Sequence, residues 1–412
     1  MASKKQAHPI PLFDTQDNLA QQELPEAITL PFAADDYQIL KDFLLQYTGS
    51  RDTYTAYRRE AERLAQWSWF VSGKSLLDLR RPDIEAYIAF CQSPPRAWIG
   101  TKKVARFIMS DGKRTPNPEW RLFVATTKKS ATKDGNKPSA YNYQFSQKAL
   151  QSLFIANSSF YNYLIREGIS EKNPVSQIRQ KSKFLRKQQN KRQIRRLTSL
   201  QWEFVIETAE KMADSNHDKY ERTLFIMSAL YLMYLRISEL TTTSRWEPQM
   251  GHFYQDSFDN WWFKTVGKGN KERDITVSEA MLGALARYRH HRGLTPTLPL
   301  PGESTPLIHK RIGQGGVEST RQIRVLVQEC FDNAIAAMAK EGFTDESKAL
   351  AEATVHWLRH TGISDDLNKR GRPIVHVRDD AGHTTSATTD LYNDAELQAR
   401  HNSGKKKKIL PD

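Results

Sequence analysis

Residues 252–277, HFYQDSFDNWWFKTVGKGNKERDITV, interrupt a chain that otherwise reads as helix. Within them the segments His252–Gln255, Trp261–Val266 and Arg273–Val277 have the short aromatic and β-branched pattern of strands. Gly267-Lys268-Gly269-Asn270 supplies the tight turn between the last two. A small sheet set among helices predicts an α+β fold that is mainly helical.

On both sides of that stretch the apolar spacing changes from two to three or four residues. Helices are predicted at 199–212 and 218–235 before it, the second with Leu224, Ser228, Tyr231 and Leu235 on one stripe. Five more are predicted after it, at 279–292, 318–341, 355–369, 373–381 and 386–392. A proline-rich loop covers 294–306, and Gly371 and Gly382 stand as C-terminal caps. Thr198 and Gln201 form a capping-box start, so residues 198–392 read as one mixed domain.

Immediately upstream, residues 179–196 (RQKSKFLRKQQNKRQIRR) hold nine basic residues and no acidic one, which marks 179–197 as an interdomain linker. Its Arg186, Lys187, Lys191, Arg192, Arg195 and Arg196 are candidates for contact with a polyanionic backbone. Before the linker lies a predicted helical domain, 36–178. Its first helix carries Tyr37, Leu40, Phe43, Leu44 and Tyr47, and its second carries Tyr54, Tyr57, Ala61, Leu64 and Ala65. A third runs from Pro82 through Cys91, and a fourth from Gln147 to Gly168. Between the third and fourth, residues 96–137 carry eleven Lys/Arg against three acids and read as an inserted basic excursion. Residues 1–35 lack a sustained period and read as a flexible arm, and 393–412 as a basic tail.

Sixty-one Lys and Arg against 47 Asp and Glu leave a net charge of +14 over 412 residues. That excess points to nucleic acid as partner, ahead of membrane, because no basic helix with a strong apolar face stands out. There is no apolar run long enough to span a bilayer and no secretory leader, which predicts a soluble, cytoplasmic, nucleoid-associated protein. Two cysteines, Cys91 and Cys330, cannot build a disulfide framework or a four-thiolate zinc site.

Four short motifs carry chemistry. In His356-Trp357-Leu358-Arg359-His360 the three-residue spacing puts the His356 imidazole and the Arg359 guanidinium on one helical face, where they could grip one phosphate. His356 and His360 also have the spacing of a zinc-protease helix, but Trp357 stands where that chemistry needs a general-base Glu. Ala381-Gly382-His383 is followed nine residues after the histidine by Tyr392. Leu235-Arg236-Ile237-Ser238-Glu239-Leu240 places an arginine at the end of an apolar helix, and the 266–273 turn presents Lys268 without the order of a P-loop. Each has an ordinary structural reading: a helix-end cation, a charged turn, a surface pair, a buried phenol.

Taken in order, Arg236, Lys268, His356, Arg359, His383 and Tyr392 closely resemble the catalytic set of the tyrosine recombinase (phage integrase) family. The resemblance covers about 198–400 in detail, and the helical part more loosely resembles the family's SAM-like core-binding domain. Tyr234 stands where many relatives have glycine, Ala381 where they usually have leucine, and the 96–137 insertion has no match.

The resemblance implies a two-domain, C-shaped clamp on double-stranded DNA, acting as a homotetramer through dimers. The tail could be exchanged between protomers, and accessory DNA-bending proteins could assist. It implies conservative site-specific recombination without cofactor or metal. Arg236 and Arg359 would neutralise the phosphate, His383 would donate to it, and His356 would take the proton of the nucleophile Tyr392. Lys268 would protonate the leaving 5′ oxygen. A mobile-element integrase is the favoured role, with a Xer-like resolvase and a type IB topoisomerase as alternatives.

Overall fold

The computed structural model describes residues 9–110, 112–127, 135, 137–179, 195–267, 269–385, 388, 389, 392 and 405. The chain divides into two compact units, Met1–Gln189 and Asn190–Asp412.

In the first unit the four expected helices form at Ala33–Leu45, Arg51–Trp67, Arg81–Gln92 and Gln147–Arg166. They bury the stripes that predicted them, with Leu40, Phe43, Leu64, Ile88, Phe154 and Phe160 in one core. Full burial of each such side chain is worth about 1.5–3 kcal/mol, which explains why these stripes fix the packing.

Two expectations for this unit are corrected. Residues 9–32 are not a loose arm: Leu12, Phe13, Leu19 and Ile28 are buried in the core. The backbone N–H of Leu12 donates to the buried Glu62 carboxylate at 2.5 Å, and the Tyr54 hydroxyl donates to the Asp14 carbonyl at 2.7 Å. The apolar residues there lack a helical period because the segment lies against the helices as a strap, so no repeat marks them. The described part of the basic excursion, residues 96–110 and 112–127, is likewise packed. Trp98, Trp120, Leu122 and Phe123 are buried, Ile99–Gly100 pairs in parallel with Phe123–Val124, and Phe107–Ser110 pairs with Lys113–Pro116 as a hairpin. Arg106 is paired with Glu62 and Arg114 with Asp14, so these two cations hold the segment to the second helix and to the N-terminal strap.

The second unit has a three-stranded antiparallel sheet, Phe253–Gln255, Trp261–Val266 and Glu272–Thr276, paired in sequence order. Phe263 lies between Phe253 and Ile275 across the ladder, and all three are fully buried. The expected helices form at Ser199–Ser215, His217–Leu232, Glu279–His291, Thr320–Lys340, Val355–Asn368 and Ile374–Ala381. Thr344–Leu350 adds a short helix whose polar seven residues gave no period. The helix expected at 386–392 falls largely outside the described residues.

Val355–Asn368 crosses His217–Leu232 at Gly362, where a Cβ would come within 2.0 Å of the Tyr231 carbonyl oxygen. That close approach sets the depth at which His356, Arg359 and His360 sit. Cys91 and Cys330 are buried free thiols. Among the described residues no helix is long and apolar enough to cross a membrane.

Candidate active site

The helix His217–Leu232 ends at Met233, and Tyr234 then takes a left-handed backbone conformation (φ +50°) that turns the chain sharply. Glycine adopts this conformation at least cost, which matches the residue many relatives carry there. Arg236 therefore lies beyond the helix and opens the Ile237–Leu240 turn, where Glu239 receives the Arg236 backbone N–H at 2.8 Å. The Arg236 guanidinium donates to Glu239 Oε1 at 2.9 Å and to the Gly382 carbonyl at 3.0 Å. An arginine read as a possible helix-end cation is thus bound to the loop that carries His383.

Arg359 projects from Val355–Asn368 into the interior and is 2% exposed. It donates to the main-chain carbonyls of Tyr234 and Ala381, the second at 2.6 Å, and approaches His383 Nε2 at 3.2 Å. Burial, reinforced by Arg236, pushes its guanidinium down to about 9, so it stays cationic at neutral pH. Carbonyl oxygens fix its orientation without cancelling its charge.

Gly382 ends Ile374–Ala381 in a left-handed cap (φ +61°) and turns His383 back towards Arg359. His383 Nδ1 lies 2.9 Å from the Thr389 hydroxyl, and its ring stacks on Tyr392 at 5.9 Å. Because guanidinium N–H groups only donate, Nε2 accepts from Arg359 and the neutral ring carries its proton on Nδ1. Burial and the cations Arg359, Arg236 and Arg273 push this imidazole down to about 4.

Tyr392 is 5% exposed and packs with Tyr234, Ile363, Val377 and Ala381. Burial raises its phenol above the ordinary value, and Arg359 and Arg236 offset part of that rise. Its hydroxyl meets Nδ1 of His360 at 2.5 Å, and not His356. His356 packs edge-on against His360 at 4.2 Å, and burial followed by Arg359 and Arg236 lowers its imidazole.

Arg236, His356, Arg359, His383 and Tyr392 therefore belong to one connected cluster. Lys268 lies outside the described residues, as do Arg186, Lys187, Lys191 and Arg192 of the linker. Arg195 is exposed and Arg196 half-buried.

Several members of the cluster were not singled out from sequence. Arg273 forks onto Glu239 with two 2.8 Å contacts and donates from Nε to the Asp380 carbonyl at 3.0 Å. Burial would raise the Glu239 carboxyl, but the Arg273 fork and Arg236 outweigh it and hold it below its usual range. Behind them Arg372 bridges Asp366 at 2.9 Å and Asp380 at 2.7 Å, and Asp366 also accepts the Tyr234 hydroxyl. The available signal for Glu239 was its capping-box spacing from Arg236; Arg273, Asp366 and Arg372 look like ordinary surface charges in the sequence.

These contacts bear on metal binding too. Asp379 pairs with Arg378 and Asp380 with Arg372, so the acids beside His383 are occupied by arginine. Among the described residues His217, Glu221 and His291 form one group of ligand type. Its two imidazoles stack nearly parallel at 4.1 Å, which keeps their lone pairs from converging in plane, and Arg287 already forks onto Glu221. It is an ion-pair cluster joining two helices.

No protein-family profile matches the chain. It is 24% identical over 242 residues to the tyrosine recombinase XerC of Chlorobaculum parvum, covering 57% of this chain and 65% of that relative, just under two thirds of its length. It is 26% identical over 270 residues to XerC of Actinobacillus pleuropneumoniae serotype 7, covering 63% of this chain and 74% of that relative. Among solved structures it is similar to XerH recombinase in a post-cleavage complex with a palindromic difH substrate. That match has a TM-score of 0.54 and 14% identity, over 97% of this chain and 99% of the other. The Tn1549 transposon integrase with a circular intermediate DNA matches at a TM-score of 0.50 and 13% identity, over 89% and 98%. By sequence relatives and by fold, the chain is similar to tyrosine recombinases.

Proposed function

We propose that this protein is a site-specific DNA recombinase that cuts and rejoins strands through a bond between the Tyr392 phenolic oxygen and a 3′-phosphate. One observation carries the reading: Arg236, Arg359, His383 and Tyr392, scattered along the second unit, meet in one buried cluster with excess positive charge. Arg236, Arg273 and Arg359 face the single carboxylate of Glu239. A phosphodiester attacked at phosphorus develops negative charge on its non-bridging oxygens, and preorganised guanidinium groups stabilise that charge without reorganising. Holding the tyrosine in the same cluster converts attack into an intramolecular step. Lys268 is the general acid for the leaving 5′ oxygen, and the bond energy kept in the phosphotyrosine serves rejoining.

The role is that of a mobile-element integrase acting as a tetramer built from dimers on double-stranded DNA, with accessory DNA-bending proteins assisting. The additional packed segment 96–127 and the basic linker support a chain with specialised DNA contacts. The curated relatives carry the name tyrosine recombinase XerC, and a Xer-like resolvase is the second reading. Direct repeats flanking an inserted element around the gene would separate the two.

Tyr392→Phe tests the chemistry. On a nicked suicide duplex the wild-type protein is expected to form an SDS-resistant, protease-sensitive adduct, and the Phe variant to bind the duplex without forming it. An adduct with the Phe variant would mean that another residue is the nucleophile.

A further inference from the structure

We infer that His360, rather than His356, takes the phenolic proton of Tyr392 during strand cleavage. The inference rests on Tyr392 being the nucleophile and assigns the base that acts on it. Among the described residues the phenolic oxygen has one hydrogen-bond partner, Nδ1 of His360, at 2.5 Å. The rings are tilted by 35° with centroids 5.3 Å apart, so the contact is made at the atoms that exchange the proton.

A single helix face holds both partners. His360, Ile363, Leu367 and Asn368 recur at helical spacing on Val355–Asn368. Ile363 and Leu367 pack in the apolar cluster around the tyrosine, and Asn368 donates to the Tyr392 carbonyl at 2.8 Å. Tyr392 is therefore fixed by its ring, its main chain and its hydroxyl to the helix that carries His360. His356, one turn earlier, touches the His360 ring edge-on and is the neighbour of the base.

Protonation states agree with this direction of transfer. Burial keeps the phenol protonated at neutral pH, so its O–H donates and Nδ1 accepts. The groups facing His360 are His356 and Arg359 on its own helix, His383 from the turn after Ile374–Ala381, and Tyr392 itself. Burial and those cationic or polar neighbours hold the imidazole neutral, at about 3. A phosphodiester bound at Arg359 and Arg236 brings a negative charge that offsets the same field. The proton affinity of His360 then rises when substrate is in place, which ties activation of the nucleophile to occupancy of the site.

In the cleavage step the proton moves from the Tyr392 oxygen to His360 Nδ1, the oxygen–phosphorus bond forms, and the bond from phosphorus to the 5′ oxygen breaks. A separate acid protonates that leaving oxygen. Rejoining runs in reverse, and His360 returns its proton to the departing phenolate.

The probe is a pool of nicked duplexes with a randomised central sequence, from which the full-length wild-type protein selects adduct-forming members. Single-turnover adduct formation on a selected duplex is then followed from pH 5.5 to 9 at saturating protein. His360→Ala is expected to slow the step by about 10²–10⁴-fold across that range, with part of the rate restored by added imidazole. His360→Asn keeps an acceptor oxygen near the position of Nδ1 but cannot take the proton, and is expected to stay as slow. His356→Ala is expected to lose less than His360→Ala. A wild-type rate for either His360 variant, or a larger loss in His356→Ala, would overturn the assignment. If His360→Ala fails to bind DNA, the Asn variant decides alone. Absence of any adduct with the wild-type protein would instead refute the nucleophile reading on which the inference rests.

Discussion

Arg273 and Glu239 form a two-contact fork, 2.8 Å on each side, that carries no member of the six-residue candidate set yet joins two of the segments bearing it. Glu239 also receives Arg236, and Arg273 also holds the Asp380 carbonyl just before Gly382 and His383. The fork thus ties the Arg236 turn, the edge strand after Lys268 and the His383 turn into one frame.

Removal of Arg273 is expected to damage chemistry more than DNA binding. Arg273→Ala leaves the buried Glu239 carboxylate with Arg236 as its one hydrogen-bonded arginine, and losing the fork is expected to cost up to about 3–5 kcal/mol, the range for breaking a buried pair. A lower denaturation midpoint and a reduced adduct rate at saturating protein are expected. Unchanged stability and rate would show that the fork is not needed.

Acid is expected to destabilise the second unit well above the carboxylate range. Burial first, and nearby arginines next, depress His383 and His309 to about 4, with His360 lower still. In the unfolded chain these imidazoles return to about 6.5, so between about pH 6.5 and 4 the unfolded state binds more protons. Stability is therefore full above about pH 7 and falls as pH drops through that window. Denaturation midpoints at pH 7.5 and 5.0 test this; equal midpoints would contradict the depressed values.

Gly362→Ala is expected to be strongly destabilising. The added methyl would meet the Tyr231 carbonyl oxygen at 2.0 Å, and the neighbour is backbone, not a flexible side chain. Separating the two helices costs about 1–3 kcal/mol, as overpacking typically does, and displaces Arg359 from the Tyr234 carbonyl. Thermal unfolding with an adduct assay measures both; wild-type behaviour would mean the crossing is looser than it looks.

Neutralising Arg186, Lys187, Lys191 and Arg192 together is expected to weaken DNA affinity without removing covalent capture at saturating protein. Each lost phosphate contact flattens the slope of log affinity against log salt by about 0.9, so the change should reach up to ~3.6. An unchanged slope would identify the linker as a spacer. By contrast, Arg106 and Arg114 are paired with Glu62 and Asp14, so their removal should register in stability before affinity.

The helices, the three-strand sheet and the candidates Arg236, His356, Arg359, His383 and Tyr392, which the fold gathers into one cluster, were legible in the sequence. Apolar periodicity reports which face of an element is buried, and Gly382 marks a turn that other residues adopt at a cost. What touches what was decided by tertiary structure. Residues 9–32 and the 96–127 segment bury Leu12, Phe13, Trp98 and Trp120 without a period, because a strap packed along helices presents side chains at irregular intervals. Glu239, Arg273, Asp366 and Arg372 are indistinguishable in sequence from solvated charges, and only their burial beside one another makes them a frame. The same holds for the two histidines of His356-Trp357-Leu358-Arg359-His360. Their spacing places both on one face, but the seat of Tyr392 against Ile363, Leu367 and Asn368 determines that the phenol meets His360.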